Sequence, residues 1–328
     1  MATVRSEPAL RVSVVIPAYN AELYIRRTLR SVLTQTRCAD EIIVVDDGST
    51  DRTGQIVKTC FPEVQLIRQE NSGASAARNA GIQAARHEWI AFLDGDDEWL
   101  PHHLEAQMGL LQRNRQLMWS TGNFFYCYCF RRERRDHIRD ERVQVAENLL
   151  DNREYMNSFF EAYAAGCAGC TDVMVVRKEA LLQAGLFDTG LKRHNDDDMW
   201  FRLACHWPQI GYCAEPHAIY HTHVPESITK SFDGPQSLSA FLSRLLEYTG
   251  RTGRSTEFAP CAARILQYWF NKYLHNESIR QIRPLLNKFS GLLPEGTEST
   301  LRLFTINPEL TRELLPLLKI VNRRFRLW

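Results

Sequence analysis

The first hundred residues predict an α/β protein built on a doubly wound, largely parallel sheet, and three observations lead there. Apolar runs of strand length recur at Val12 to Ile16, Ile42 to Val45, Val64 to Ile67 and Trp89 to Leu93. Such near-continuous runs suit strands covered on both faces, the habit of parallel sheets. Helical periods separate them, so strand and helix alternate at distances that suit right-handed βαβ units. The composition agrees: 44% hydrophobic and 24% charged residues in a chain of 328 are globular proportions.

The first run is rich in β-branched residues and is expected to end at Pro17, the second at Asp46-Asp47-Gly48 and the fourth at Asp94-Gly95. Between them Ile25, Leu29, Val32 and Leu33 share one helical face, and Ile56, Val57 and Cys60 another. Ala76, Ala77, Ala80, Ala84 and Ala85 give a third helix a thin side, able to sit close against a sheet. Pro101 is expected to open a helix that buries Leu104, Met108 and Leu111. Trp119 to Phe130 reads as a strand. Arg131 to Arg142, dense in both signs of charge, reads as a solvated loop. Leu149 to Tyr163 reads as helical, Asp172 to Val176 as a strand, and Gly185 as the cap of a helix carrying Leu181 and Leu182. Ile210 to Ala214 and Ala218 to His223 are expected as two short strands.

From about Ser237 only helical stripes remain: Leu238, Phe241, Leu242, Leu245 and Leu246, then Ile265, Leu266, Trp269, Phe270 and Tyr273. Ile282, Leu286 and Phe289 follow, and then Leu310, Leu314, Leu318, Val321 and Phe325. The expected boundary lies near 232, dividing a 1–232 domain (halves of about 1–118 and 119–232) from a helical domain over 233–328.

Charge excludes one class of function. The 40 basic and 39 acidic side chains leave a net charge of +1, not the basic footprint of a nucleic-acid binder. Nine cysteines cannot all pair within one chain, and Met1 to Leu10, with Arg5, Glu7 and Pro8, does not read as a secretory leader. The expected location is therefore a reducing cytoplasm. Leu117 to Phe130 is too short for a spanning helix of about 20 residues.

Ligands of open α/β sheets bind outside the carboxyl ends of the strands. Those ends carry Pro17-Ala18-Tyr19-Asn20, Asp46-Asp47-Gly48-Ser49 and Asp94-Gly95-Asp96-Asp97. Carboxylates converging in one cleft repel unless a cation sits between them, and an oxygen-only ligand set favours Mg2+ or Mn2+. Asp94-x-Asp96 suits such an ion. No Walker-type loop occurs, and Asn71 to Gly81 does not match the dinucleotide fingerprint, which argues against a dehydrogenase.

These blocks resemble glycosyltransferase family 2, whose members are inverting enzymes with the GT-A fold. Four carry the resemblance in order: Val14 to Asn20, Val45 to Asp51, Asn71 to Gly81 and Phe92 to Asp97. A looser fifth is Asn195-Asp196-Asp197-Asp198-Met199-Trp200-Phe201-Arg202-Leu203, and the whole covers about Arg11 to Thr229. The resemblance implies a GT-A, Rossmann-like sheet with a C-terminal helical extension. It implies that Pro17 and Tyr19 line a nucleobase, that Asp47, with Asp46 beside it, meets base or ribose, and that Arg78 reaches the nucleotide. Asp94 is then the ribose contact and Asp96 the metal ligand of an Asp-x-Asp motif, with Asn20, Ser75 and Gly95 in the same nucleotide-sugar set. His223 is similar to a residue that folds over the donor diphosphate and joins Asp96 at the metal.

Aligned on Arg202-Leu203, the fifth block carries Asn195 where the family usually has Glu. That leaves Asp196 as general base, with Asp197 its rival. The implied reaction is metal-assisted transfer, with Mn2+ or Mg2+, from a UDP-sugar to a hydroxyl of a glycan, lipid-linked or protein acceptor. A sugar-phosphate nucleotidyltransferase and a catalytically silent nucleotide-sugar-binding protein are the alternatives. Trp99 and Trp200 are candidates to stack on a sugar or base, with packing the competing role. Cys167-Ala168-Gly169-Cys170 reads as small core residues rather than a redox or zinc pair. The cationic C-terminus from Lys319 to Trp328 either docks on the helical domain or touches an anionic membrane.

Overall fold

Strand β1 (Val12–Ala18) is buried at every position, as are β2 (Glu41–Asp46) and β4 (Trp89–Phe92). These are the runs expected to be covered on both faces. β3 (Gln65–Arg68) differs because it is an edge strand, with Gln65 and Arg68 exposed. The four run parallel in the order β3-β2-β1-β4. The computed structural model describes residues 8–128, 133–136, 141–222, 235–275 and 282–306.

Three helices link these strands: α1 (Ile25–Leu33), α2 (Thr53–Cys60) and α3 (Ala74–Ala84). α3 packs on β1 and β2 with Ser75, Ala77, Arg78, Gly81 and Ile82 buried; of the expected thin side Ala76, Ala80 and Ala84 are half-exposed. β1 runs one residue beyond Pro17, since a proline near the end of a strand removes one ladder donor without breaking the extended backbone.

Past β4 the sheet becomes mixed. β5 (Glu98–Trp99), α4 (His103–Arg113), β6 (Trp119–Tyr128), β7 (Glu133–Asp136) and α5 (Glu141–Leu150) come next in the chain. β8 (Tyr155–Met156), α6 (Phe159–Ala165), a single 3-10 turn (Thr171–Val173), β9 (Val175–Arg177), α7 (Lys178–Gln183), α8 (Asn195–His206) and β10 (Ile210–His221) follow. The ten-stranded sheet continues β4-β9-β6-β10-β5, with β7 on β6 and β8 on β10. β9 is antiparallel to both β4 and β6, so the sheet is not wholly parallel.

Four local expectations are corrected. The helix expected over Leu149 to Tyr163 is interrupted: Asp151 and Asn152 take positive φ of 47° and 60°, and β8 pairs with β10 before α6 begins. The charged stretch after residue 131 holds strand β7, recruited by pairing with β6, and the start of α5. Asp172 belongs to the 3-10 turn rather than to a strand. The two strands expected beyond 210 form one, β10, whose register shifts around Pro216. α7 is followed by Gly185 at φ +88°, the expected cap.

The chain divides into two compact units, 1–232 and 233–328. The second contains α9 (Pro235–Arg251), α10 (Ser255–His275), α11 (Ile282–Lys288) and α12 (Glu295–Phe304). Its core takes Leu238, Phe241, Leu242 and Leu245 from α9 and Leu266, Trp269, Phe270 and Tyr273 from α10. The stripe from Leu310 to Phe325 and the cationic C-terminus lie outside the described residues. Among those described, no helix is long and apolar enough to cross a membrane.

Candidate active site

The carboxyl ends of β1 and β2 are tied by polar residues. Asn20, at φ 48°, receives the backbone N–H of Thr50 on Oδ1 at 2.9 Å, and its own N–H donates to Ser49 Oγ at 3.0 Å. Asp46 is buried and accepts from Ser49 N at 2.9 Å, with Arg68 Nε 3.5 Å from its carboxylate. Asp47 accepts from Gln69 Nε2 at 2.7 Å, Ser72 N at 2.9 Å and Gly73 N at 2.8 Å. It thereby fixes the approach to α3. Tyr19 projects with 50% of its surface exposed, and Pro17 lies in β1 beside Val45.

The acidic loop after β4 lies against β1 because Gly95 has no side chain: a Cβ there would stand 3.0 Å from Pro17 O. Helix α1 holds the loop by successive carbonyls. Thr28 Oγ1 donates to Gly95 O at 3.0 Å and to Asp97 O at 2.7 Å, and Arg27 donates to Asp96 O. Below the loop sits Asp172, whose carboxylate accepts the Asp94 N–H at 2.8 Å. Asp97 accepts the His221 N–H at 2.6 Å. One oxygen from each of Asp94, Asp97 and Asp172 lies within 4.8 Å of the others.

Asp96, Asp97 and Asp172 hold their protons more firmly than ordinary carboxyls. Burial, followed by repulsion from Asp94, pushes Asp96 up to about 6 and Asp172 up to about 7. Burial, then Asp172 and Asp96, raises Asp97 well above the usual carboxylate range. An oxygen-only cluster in which charge is this costly could hold a divalent cation, which would displace the protons.

Helix α3 faces the cluster with its first turns. Arg78 is buried and donates to Asp94 Oδ1 at 2.6 Å, with its guanidinium 5.5 Å from the centre of the Phe187 ring. Burial alone would lower its pKa, yet Asp94, Asp196 and Asp172 together raise it, so Arg78 remains a cation. One residue on, Asn79 donates to Phe187 O at 2.8 Å and accepts from Phe187 N at 2.9 Å. Ser75 Oγ accepts from Asn195 Nδ2 at 2.7 Å.

Asp196 opens the first turn of α8 behind Asn195. Its carboxylate accepts from Asp197 N at 2.9 Å and from Thr171 Oγ1 at 3.4 Å. Burial, then Asp197, raises its pKa, against the opposing pull of Arg78 and His194. Asp197 stands 3.7 Å from His194 Nδ1. Asp198 is committed to the fold: it pairs with Arg202, which also donates to Ala184 O and Leu186 O and so fastens α8 to the turn after α7.

Asp94, Arg78 and Asp196 therefore converge, and Ser75, Gly95 and Asp96 border them, whereas Asp46 and Asp47 are engaged in tying loops together. His223 lies outside the described residues. The sequence reading missed Asp97 and Asp172 as members of the cluster. Asp97 stood next to the motif, but Asp172 reaches it only through a tertiary approach that spacing does not encode. Trp99 and Trp200 take the packing role, each 3% exposed. Trp99 Nε1 donates to Asp172 O at 2.6 Å, and Trp200 packs on Phe92 and Phe187. Cys167 is buried, and the Cys170 thiol points at Asp172 Oδ2 over 3.5 Å.

The sequence profile of glycosyl transferase family 2 matches residues 13–179. The glycosyltransferase YibD of Escherichia coli K12 is 46% identical over 101 residues, which are 30% of this chain and 29% of YibD. The glycosyltransferase RP339 of Rickettsia prowazekii is 29% identical over 241 residues, 72% of this chain and 69% of the relative. Among solved structures, TarS 1-349 of S. aureus in complex with UDP-GlcNAc superposes with a TM-score of 0.72 at 17% identity, covering 94% of this chain and 92% of that one. The fold is thus GT-A, a mixed α/β sheet with C-terminal helices.

Proposed function

Because this chain belongs to glycosyltransferase family 2, we propose that it transfers a sugar, with inversion, from a UDP-sugar to an acceptor hydroxyl, with Asp196 as the general base. The observation that supports this best is the convergence of the Asp94–Arg78 pair, the Asp97 and Asp172 carboxylates and the first turn of α8 at one edge of the sheet. The UDP-GlcNAc held by TarS supports a UDP-sugar as donor. In this reading the exposed ring of Tyr19, with Pro17 and Asn20, receives the base, and Asp46 and Asp47 hold the loops that shape its pocket. Arg78 keeps positive charge beside the diphosphate.

A cation held by Asp94, Asp97 and Asp172, with Asp96 at their border, would neutralise charge on the departing diphosphate. Asp196 takes the proton of the acceptor hydroxyl. Its burial keeps the carboxylate basic, and the Thr171 hydroxyl and Asp197 N–H fix its direction. A positioned base typically contributes about 10²–10⁴-fold. Asp196→Asn should therefore lower kcat by that factor and leave UDP affinity within about twofold. Transfer at the wild-type rate by this variant, with a donor the wild type uses, would refute the assignment.

A further inference from the structure

Asn195 stands where the family usually has Glu, and the structure gives its carboxamide two bonds. Its Nδ2 donates to the buried Ser75 Oγ at 2.7 Å, and its Oδ1 accepts the Asp196 N–H at 3.0 Å. Asp196 Oδ1 in turn accepts the Asp197 N–H at 2.9 Å. Hydrogen bonds thus tie the first turn of α3 through Asn195 to the backbone amide of Asp196, and the next amide of the same turn holds the Asp196 carboxylate. The start of α8 lacks the usual alternative: His194 caps it in the left-handed region, at φ 57°, with no side-chain bond to the first-turn amides. The same face of α3 grips the segment leading to α8 through the Asn79–Phe187 pair and sets Arg78 against Asp94.

We propose that Asn195 and Ser75 act together as a positioning strut, which sets the Asp196 carboxylate relative to the donor-binding edge; this rests on Asp196 being the base. The carboxamide suits the place. It donates to Ser75 and accepts from the backbone at once, and it adds no anion to a pocket already holding Asp94, Asp172, Asp196 and Asp197 opposite Arg78. Ser75 accordingly serves the base rather than the donor.

The test is a double-mutant cycle on the full chain with Ser75→Ala, Asn195→Ala and the double variant. Displacing a reacting group by an ångström or so costs up to about 10²-fold. Each single variant should lower kcat by about 10- to 100-fold with donor KM within about twofold, and the double should be no worse than either single. Losses that multiply in the double variant would overturn the strut. So would a raised donor KM with unchanged kcat, which would place the Ser75 hydroxyl on the donor. Hydrogen exchange at the amides of Asp196 to Asp198 supplies a readout that needs no turnover. Each variant should exchange there roughly fivefold faster or more, and unchanged exchange overturns the strut. If the wild type transfers no sugar from any nucleotide-sugar tried, the reading of function fails, while the exchange data still decide whether the strut exists.

Discussion

Replacing Arg78 by Met is the sharpest perturbation of the charge arrangement. The side chain is 6% exposed and bonds Asp94 at 2.6 Å, and Asp196 and Asp172 also lie within its field. Met fills much of the volume but leaves these carboxylates facing one another. Removing one partner of a buried ion pair costs about 3–5 kcal/mol. Asp94 keeps 30% of its side chain in solvent, so the lower end, about 3 kcal/mol, is expected. At roughly 2–4 °C per kcal/mol for a domain of this size, the transition of the 1–232 unit should fall by about 6–12 °C. The assay is thermal and urea unfolding in chelator, so that no cation substitutes for the guanidinium. The double variant Arg78→Met/Asp94→Asn should recover most of the loss, because the carboxylate that Arg78 bonds directly is then uncharged. A single-variant loss below about 1 kcal/mol, or a double variant no more stable than the single, would refute the electrostatic account.

Four further outcomes follow from the structure. Mn2+ or Mg2+ at about 100 times its Kd should stabilise the wild type by about 2.7 kcal/mol in thermal-shift measurements, and exhaustive chelation should abolish transfer; full activity in chelator would exclude the metal role. Asp94→Asn and Asp172→Asn should each shrink that thermal shift. Gly81→Ala should destabilise by about 1–3 kcal/mol in urea unfolding, because the added methyl overlaps Val15 Cγ1 under α3 and a β-branched side chain has little freedom to move aside. His103 is fully buried and stacked on Trp99, and burial, then His217, holds its pKa well below the ordinary value. The unfolded chain therefore binds a proton below about pH 6.5 that the native state refuses. Stability should fall as pH drops from about 6.5, by up to about 1.4 kcal/mol per unit, and His103→Gln should remove that part of the slope.

The buried strands were legible because burial on both faces leaves little choice of residue: β1, β2 and β4 appear in the sequence as almost uninterrupted apolar runs. The acids at their ends were legible for the complementary reason, since nothing apolar about a strand calls for Asp46-Asp47 or Asp94-Gly95-Asp96-Asp97. β7 was hidden, because a strand recruited onto β6 gains its hydrogen bonds from its neighbour and needs no apolar run of its own. Tyr155-Met156 was read as helix for the same reason: β10 supplies the pairing. Asp172 was invisible as a site residue because its contact with Asp94 spans 78 positions and depends on Trp99 and Gln107, which hold the carbonyls of Asp172 and Val173. The two tryptophans stayed open between stacking and packing, since adjacency to a motif does not fix the side to which a side chain points.

The alanine-rich helix links packing to chemistry in a way that neither feature suggests alone. Ala77 and Gly81 face the sheet, and their small size lets α3 lie close on β1 and β2. A helix seated that closely carries its first turns to the level of the strand ends. Ser75 can then meet Asn195 and Arg78 can meet Asp94 without extended, entropically expensive side chains in open solvent. A bulkier inner face would move the whole helix outward, and both bonds would lengthen together with no site residue changed. The near balance of 40 basic and 39 acidic residues describes the chain as a whole. At the sheet edge the balance is local and geometric: Asp94, Asp196 and Asp172 share the buried Arg78 guanidinium, carried by a helix packed on β1 and β2. Ala77 and Gly81 thus help to set where Arg78 stands, and substitutions at these two positions should alter turnover as well as stability.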